Sequence, residues 1–208
     1  MLTDFAKGLM LDALDETATN GIKFWSLHTA FSATGTNEVT GGSPAYARKA
    51  AVYAAATGSP RHKDSSAGQT FDVPATTVAW IGRWDAVTTG NFLGMGPAGG
   101  AARRQFGTTA AGVTANTIDS PAHGFSAGNA VVFWAAAGAV LPSPLAEGTI
   151  YFVIATGLTT DVFSVSTTLG GSAVDLTTVG DGEVQLIVPE TFAGQGQYNM
   201  TGDIITLP

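Results

Sequence analysis

From residue 22 onward the chain consists of short runs rich in Val, Thr and aromatic residues, each ended by a turn cluster. The runs are residues 22–29, 47–55, 69–73, 77–84 and 92–96. Between them stand Thr34-Gly35, Gly41-Gly42-Ser43-Pro44, Thr57-Gly58-Ser59-Pro60 and Thr89-Gly90-Asn91. β-Branched and aromatic side chains fit a pleated surface, while Gly, Pro and Asn supply the backbone conformations that end a strand. The spacing predicts a mainly β architecture, a β-sandwich or jelly-roll-like domain. The polar stretch 58–68, with His62, Lys63 and Asp64, reads as an exposed loop.

The first residues use a different period. Leu2, Phe5, Ala6, Leu9, Ala13 and Leu14 recur at three- and four-residue steps, which predicts an amphipathic helix over 2–16 with Thr3 as its cap. A helix this short is marginal alone. Its apolar face, Leu2, Phe5, Leu9 and Ala13, is therefore the candidate contact with a partner, or else it docks on the chain's own β domain.

The run Pro97-Ala98-Gly99-Gly100-Ala101-Ala102 opens a break over 97–112. A second set of strands follows at 113–118, 130–133, 150–155, 162–166 and 183–187, and residues 190–208 read as a closing hairpin around Thr201-Gly202-Asp203. An isolated hairpin is unstable in water, so this one must pair with an earlier unit.

Hydrophobic residues make up 45% of the chain, enough for a real core, but charged residues only 12%. A surface this poor in charge suits packing against copies or partners. With a net charge of −7 and nine basic residues dispersed, the chain lacks the basic face that nucleic acid requires. Arg103-Arg104 reads as a solvated or partner-facing pair. There is no cysteine, so disulfides and thiolate metal sites are excluded. No apolar run approaches the ~18 residues of a membrane span, and acids interrupt the N-terminal apolar residues, so neither membrane insertion nor a secretory signal is expected.

Catalytic patterns are missing. His28, His62 and His123 have no metal-ligand spacing, and no Gly-x-Ser-x-Gly elbow occurs. Asp181 and Glu183 flank Gly182 where a turn would favour Asp in any case. No cofactor is implied, and an enzyme is not expected. Trp25, Trp80, Trp84 and Trp134 could form a sugar-stacking platform or belong to the core; Trp134, just before Ala135-Ala136-Ala137-Gly138, is the one expected to be exposed.

Several stretches resemble a family of small structural proteins of tailed bacteriophages, the tail-fibre-like proteins. They are Phe24-Trp25-Ser26-Leu27-His28-Thr29-Ala30, the turn from Asn37 to Gly42, Tyr46-Ala47-Arg48, Trp84-Asp85-Ala86 and Phe92-Leu93-Gly94. In that family the strand matching Phe92-Leu93-Gly94 is soon followed by a closing hairpin. Here residues 104–187 intervene, and His123-Gly124-Phe125-Ser126, Gly148-Thr149-Ile150-Tyr151-Phe152 and Phe163-Ser164-Val165-Ser166 within them resemble a small β module recurrent in phage tail and fibre proteins. The resemblance implies a split anchoring domain, 1–103 plus 188–208, and an inserted, outward-projecting β domain, 104–187. It implies a non-enzymatic virion component that contacts other tail or capsid proteins and forms a homo-oligomer, by analogy a trimer. The alternatives are a capsid decoration protein reinforcing the head lattice, or a carbohydrate-binding adhesion module for a host surface glycan.

Overall fold

The computed structural model describes residues 3–15, 17–19, 21–58, 62–99, 103–136 and 138–206. Leu2, Ser59, Pro60, Gly100, Ala101, Ala102 and Ala137, named above, lie outside them, as do the ends of the expected helix and hairpin at Glu16, Leu207 and Pro208. In chain order the elements begin with α1 (Asp4–Asp12), β1 (Phe24–His28), β2 (Lys49–Ala50), β3 (His62–Asp64), β4 (Gln69–Val73), β5 (Thr76–Val78), β6 (Trp80–Trp84) and β7 (Phe92–Pro97). Then come β8 (Arg104–Gly107), α2 (Ala110–Ala115), β9 (Ile118–Asp119), β10 (Ala130–Ala135), β11 (Tyr151–Val153), β12 (Val162–Phe163), β13 (Val165–Ser166) and β14 (Asp181–Ile187). The last are β15 (Glu190–Phe192), β16 (Gly196–Met200) and β17 (Ile204–Thr206). The fold is mainly β with a short N-terminal helix. It divides into two compact units, Met1–Gly100 with Val188–Pro208, and Ala101–Ile187.

The first unit holds a four-stranded antiparallel sheet in the order β2-β1-β6-β7. Opposing it in the core is a long two-stranded ribbon. β5 pairs with β15, β4 with β16 and β3 with β17, all antiparallel. The register runs from Val78↔Glu190 through Phe71↔Tyr198 to Asp64↔Ile204, so residues 62–78 and 190–206 form one interrupted ribbon. An extra residue on the late strand, between Phe192 and Gly196, is offset by one on the early strand, between Asp64 and Gln69. Trp25, Leu27 and Ile81 from the sheet meet Phe71, Val73, Tyr198 and Met200 from the ribbon in one apolar cluster.

This pairing corrects the expected closing hairpin. β16 and β17 do not fold onto each other; both continue along the earlier strand. The Thr201-Gly202-Asp203 segment does not reverse the chain, because Asp203 stays in the ladder: the Ser65 N–H donates to its carbonyl at 2.9 Å, and its own N–H donates to Ser65 Oγ at 2.9 Å. The expected loop at 58–68 is corrected for the same reason. Residues 62–64 are a strand, and Lys63 is completely buried.

Thr3 caps α1, its side chain accepting from the Ala6 N–H at 3.2 Å. The face that docks is not the one the periodicity favoured. Gly8 and Leu11 are buried and Leu14 packs on the core, while Phe5 is 72% exposed and Leu9 and Ala13 also face solvent. Charge decides this. Asp12, one turn along from Gly8 at the end of α1, and Asp15, just beyond the helix, pair with the Lys63 ammonium at 3.4 and 2.9 Å. Burying Lys63 without these carboxylates would be costly, so the helix turns its Gly8–Leu11–Asp12 side inward.

The second unit is a seven-stranded sheet in the order β12-β9-β8-β14-β10-β11-β13. Its two edge strands, β12 and β13, are halves of one extended segment joined only by Ser164. Chain continuity therefore brings the two edges together, and the sheet curls nearly closed into a barrel. Closure shields the edge N–H and C=O groups that would otherwise invite foreign strands. Inside, Phe133 meets Phe106 at 5.1 Å and Tyr151 at 5.6 Å, with Ile118, Val131 and Val184 completing the cluster. Two expectations change here. The break at 97–112 contains strand β8, and the expected strand at 113–118 begins as helix α2, capped by the Thr109 hydroxyl and ended by Asn116 in the left-handed region.

Candidate functional site

Four of the stretches carrying the resemblance meet in space. Arg48 donates to both carboxylate oxygens of Glu38, at 2.9 and 2.7 Å. Its remaining terminal nitrogen donates to the carbonyls of Ala86 and Thr89 at 3.0 and 2.9 Å. The guanidinium carbon lies 3.6 Å from the centre of the Trp84 ring. Tyr46 donates to Glu38 at 3.3 Å and accepts from the Leu27 N–H at 2.8 Å. Burial pushes the Tyr46 phenol far above its ordinary value, so it stays protonated. Gly35, at φ +80°, packs on the Trp84 ring edge, where a side chain would collide. A cavity of about 380 Å3 adjoins this cluster, lined by Glu38, Tyr46, Arg48 and Thr88 among others. The planar Arg fork suits this two-point grip, and each hydrogen bond to a charged group contributes about 1.5–3 kcal/mol.

Directly behind lies a buried polar chain. The Trp84 indole N–H donates to Ser26 Oγ at 2.8 Å, Ser26 Oγ lies 2.7 Å from His28 Nε2, and His28 Nδ1 lies 2.9 Å from the Thr36 carbonyl. A carbonyl can only accept, so Nδ1 carries the proton and Nε2 accepts from Ser26. Burial lowers the pKa of His28, an effect the Thr36 carbonyl opposes. In an open cleft a Ser–His pair would be a nucleophile with its base. Here both residues are completely buried, and any side chain at Gly82 would collide with them. The pair is a satisfied core network.

A second network joins sheet to ribbon. Trp25 donates to the Tyr53 hydroxyl at 2.8 Å, Tyr53 donates to Asp203, and Arg83 grips the Asp203 carboxylate from Nε at 2.7 Å and from a terminal nitrogen. Burial alone would raise the Asp203 carboxyl. The Arg83 charge and the hydrogen bonds from Arg83 and Tyr53 outweigh it and hold the group below the usual carboxylate range. Tyr53 is pushed strongly upward by burial and by the Asp203 charge. The sequence reading missed this network. Its one signal is that Arg83 shares the strand face of the buried Ile81, which implies a buried cation in need of an acid.

The remaining candidates fall as follows. Trp134 is buried, 8% exposed, with Arg103 over its ring at 4.9 Å, which corrects its expected exposure. Trp25, Trp80 and Trp84 are buried as well, so the four indoles form no sugar-stacking platform. Arg103 and Arg104 are not simply solvated: Arg103 pairs with Glu183 at 2.9 Å and Arg104 donates to the Ala122 carbonyl at 3.1 Å. His62 is on strand β3 beside Asp64 at 3.3 Å. His123 is buried at its turn, and its Nδ1 accepts from the Phe125 N–H at 2.9 Å. Asp181 and Glu183 are in β14 rather than a turn. Phe5, Leu9 and Ala13 are at the surface and Leu2 lies outside the described residues. Among the described residues no three acids or histidines gather as a metal site, and no helix is long and apolar enough to cross a membrane. No family model, no curated protein and no solved structure matches the chain.

Proposed function

We propose that this chain is a non-enzymatic structural component of a tailed-phage virion, a tail-fibre-like subunit that acts by binding through shape and buried apolar area. The observation that carries the reading is the Arg48 cluster. The motif residues that resemble the phage family, Glu38, Tyr46, Arg48 and Trp84, are consumed in holding one another. Their chemistry is that of a scaffold. In this reading the first unit anchors the subunit to other virion proteins and to sister copies, by analogy as a trimer, and the inserted unit projects outward. The exposed pair Phe5 and Leu9, one turn apart on α1 beside the exposed Met10, is the contact face.

Mass spectrometry of purified particles tests the proposal. Detection at a handful of copies per particle supports the tail reading, hundreds of copies would replace it with capsid decoration, and absence from particles would overturn both. Phe5→Ser with Leu9→Ser leaves the Leu11 and Lys63 docking intact. That variant is expected to fold and to fail in incorporation; normal incorporation would remove α1 from the interface.

A further inference from the structure

Tyr198 points inward from β16, and its ring packs in the core of the first unit with 6% of the residue exposed. Its hydroxyl has no hydrogen-bond partner among the described residues and is not sealed off. Tyr198 lines a cavity of about 310 Å3 together with Glu190, Val188, Pro189, Asn199 and Thr201. Burial, reinforced by the Glu190 charge, pushes the phenol up to about 12, so it remains a donor at neutral pH. Among the described residues no Lys or Arg lines the cavity to neutralise Glu190.

We propose that this cavity binds one pyranose ring of a neutral saccharide. Its volume is at the low end of small-molecule pockets, ~300–1,000 Å3, and suits a single ring. The lining mixes donors, the hydroxyls of Tyr198 and Thr201, with one strong acceptor, Glu190. Sugar hydroxyls both give and accept, and a carboxylate can take two neighbouring hydroxyl protons at once. An ammonium ligand would use Glu190 and leave the donors idle. Val188, half exposed, and Pro189 give the C–H face of the ring an apolar wall. The uncompensated carboxylate rejects uronic and sulfated sugars. The site is separate from the indoles and does not rest on the virion reading.

Saturation-transfer NMR on the full chain tests the proposal with methyl α-glucopyranoside, methyl α-mannopyranoside, methyl α-galactopyranoside, methyl glucuronide and methylammonium. At least one neutral pyranoside is expected to bind and the glucuronide to fail. Tyr198→Phe keeps the ring in the core and removes only the hydroxyl, and Glu190→Gln removes only the charge. Each is expected to weaken binding roughly three- to tenfold with an unchanged melting curve. Saturation of no neutral pyranoside, transfer unchanged in both variants, or binding of methylammonium alone would overturn the proposal.

Discussion

Arg83 and Asp203, 120 positions apart, form a two-point ion pair that ties strand β6 to the late strand of the ribbon. The pair explains why residues 201–203 run on along the ribbon instead of turning back. Asp203→Asn leaves the Arg83 charge buried without its counterion. Breaking a buried pair in this way costs about 3–5 kcal/mol. Urea denaturation followed by tryptophan fluorescence should show that loss, and a loss below about 1 kcal/mol would mean the pair is effectively solvated.

Stability should fall on the acid side in two stages. His28 is held below its ordinary 6.5 by burial. Above that value both states are neutral and the group adds no slope. Below it the unfolded chain takes up a proton that the native state refuses, so stability drops as pH falls. Asp203, held below 3.8, adds a second loss as pH falls beneath that value. Urea midpoints from pH 8 to pH 3 measure both, and His28→Gln should flatten the stage just below 6.5 while leaving the lower one.

Arg48→Lys keeps the charge and discards the fork. Lysine cannot reach both Glu38 oxygens, the Ala86 and Thr89 carbonyls and the Trp84 face together. A loss of about 2–4 kcal/mol is expected, since hydrogen bonds to charged groups contribute ~1.5–3 kcal/mol each and lysine keeps only some of them. An equal denaturation midpoint for the variant would show that the cluster is not a clamp.

The second unit should fold alone. Every member of its core cluster lies between Phe106 and Val184, and its sheet needs no strand from outside. A fragment of residues 103–187 is expected to melt cooperatively and to give dispersed amide proton shifts. The complementary fragment 1–99 loses β15, β16 and β17 and is expected to remain unfolded, because half of its ribbon is gone.

Much of the local structure was legible. Residues 69–73 form β4 as the run of Thr, Phe and Val predicts, and residues 92–97 form β7. The Thr3 cap was readable because it needs only three residues of chain. The Arg48 cluster was half legible: its residues stood in the motifs and the turn at Thr89-Gly90-Asn91 was marked, but no local pattern says that the Ala86 and Thr89 carbonyls face Arg48. Helix α2 was missed because Val113 and Ile118 read as strand formers, whereas Thr109 and Asn116 cap the short helix at its two ends. Trp134 was misplaced because the Ala-rich segment after it resembles a loop edge, while β10 carries the indole to Arg103.

The sequence by itself determined the β class, the helix at the start and the positions of most turns, since those depend on residue type and on neighbours a few positions away. Only the tertiary structure decided which helix face is buried, that the last residues extend a ribbon instead of forming a hairpin, and that the second sheet nearly closes. Each of those outcomes depends on partners distant in the chain: Lys63 with Asp12 and Asp15, Asp203 with Arg83, and, in the second sheet, β8 with β14. Burial makes an unpaired charge or an unpaired edge costly, and the chain folds so that each finds its complement.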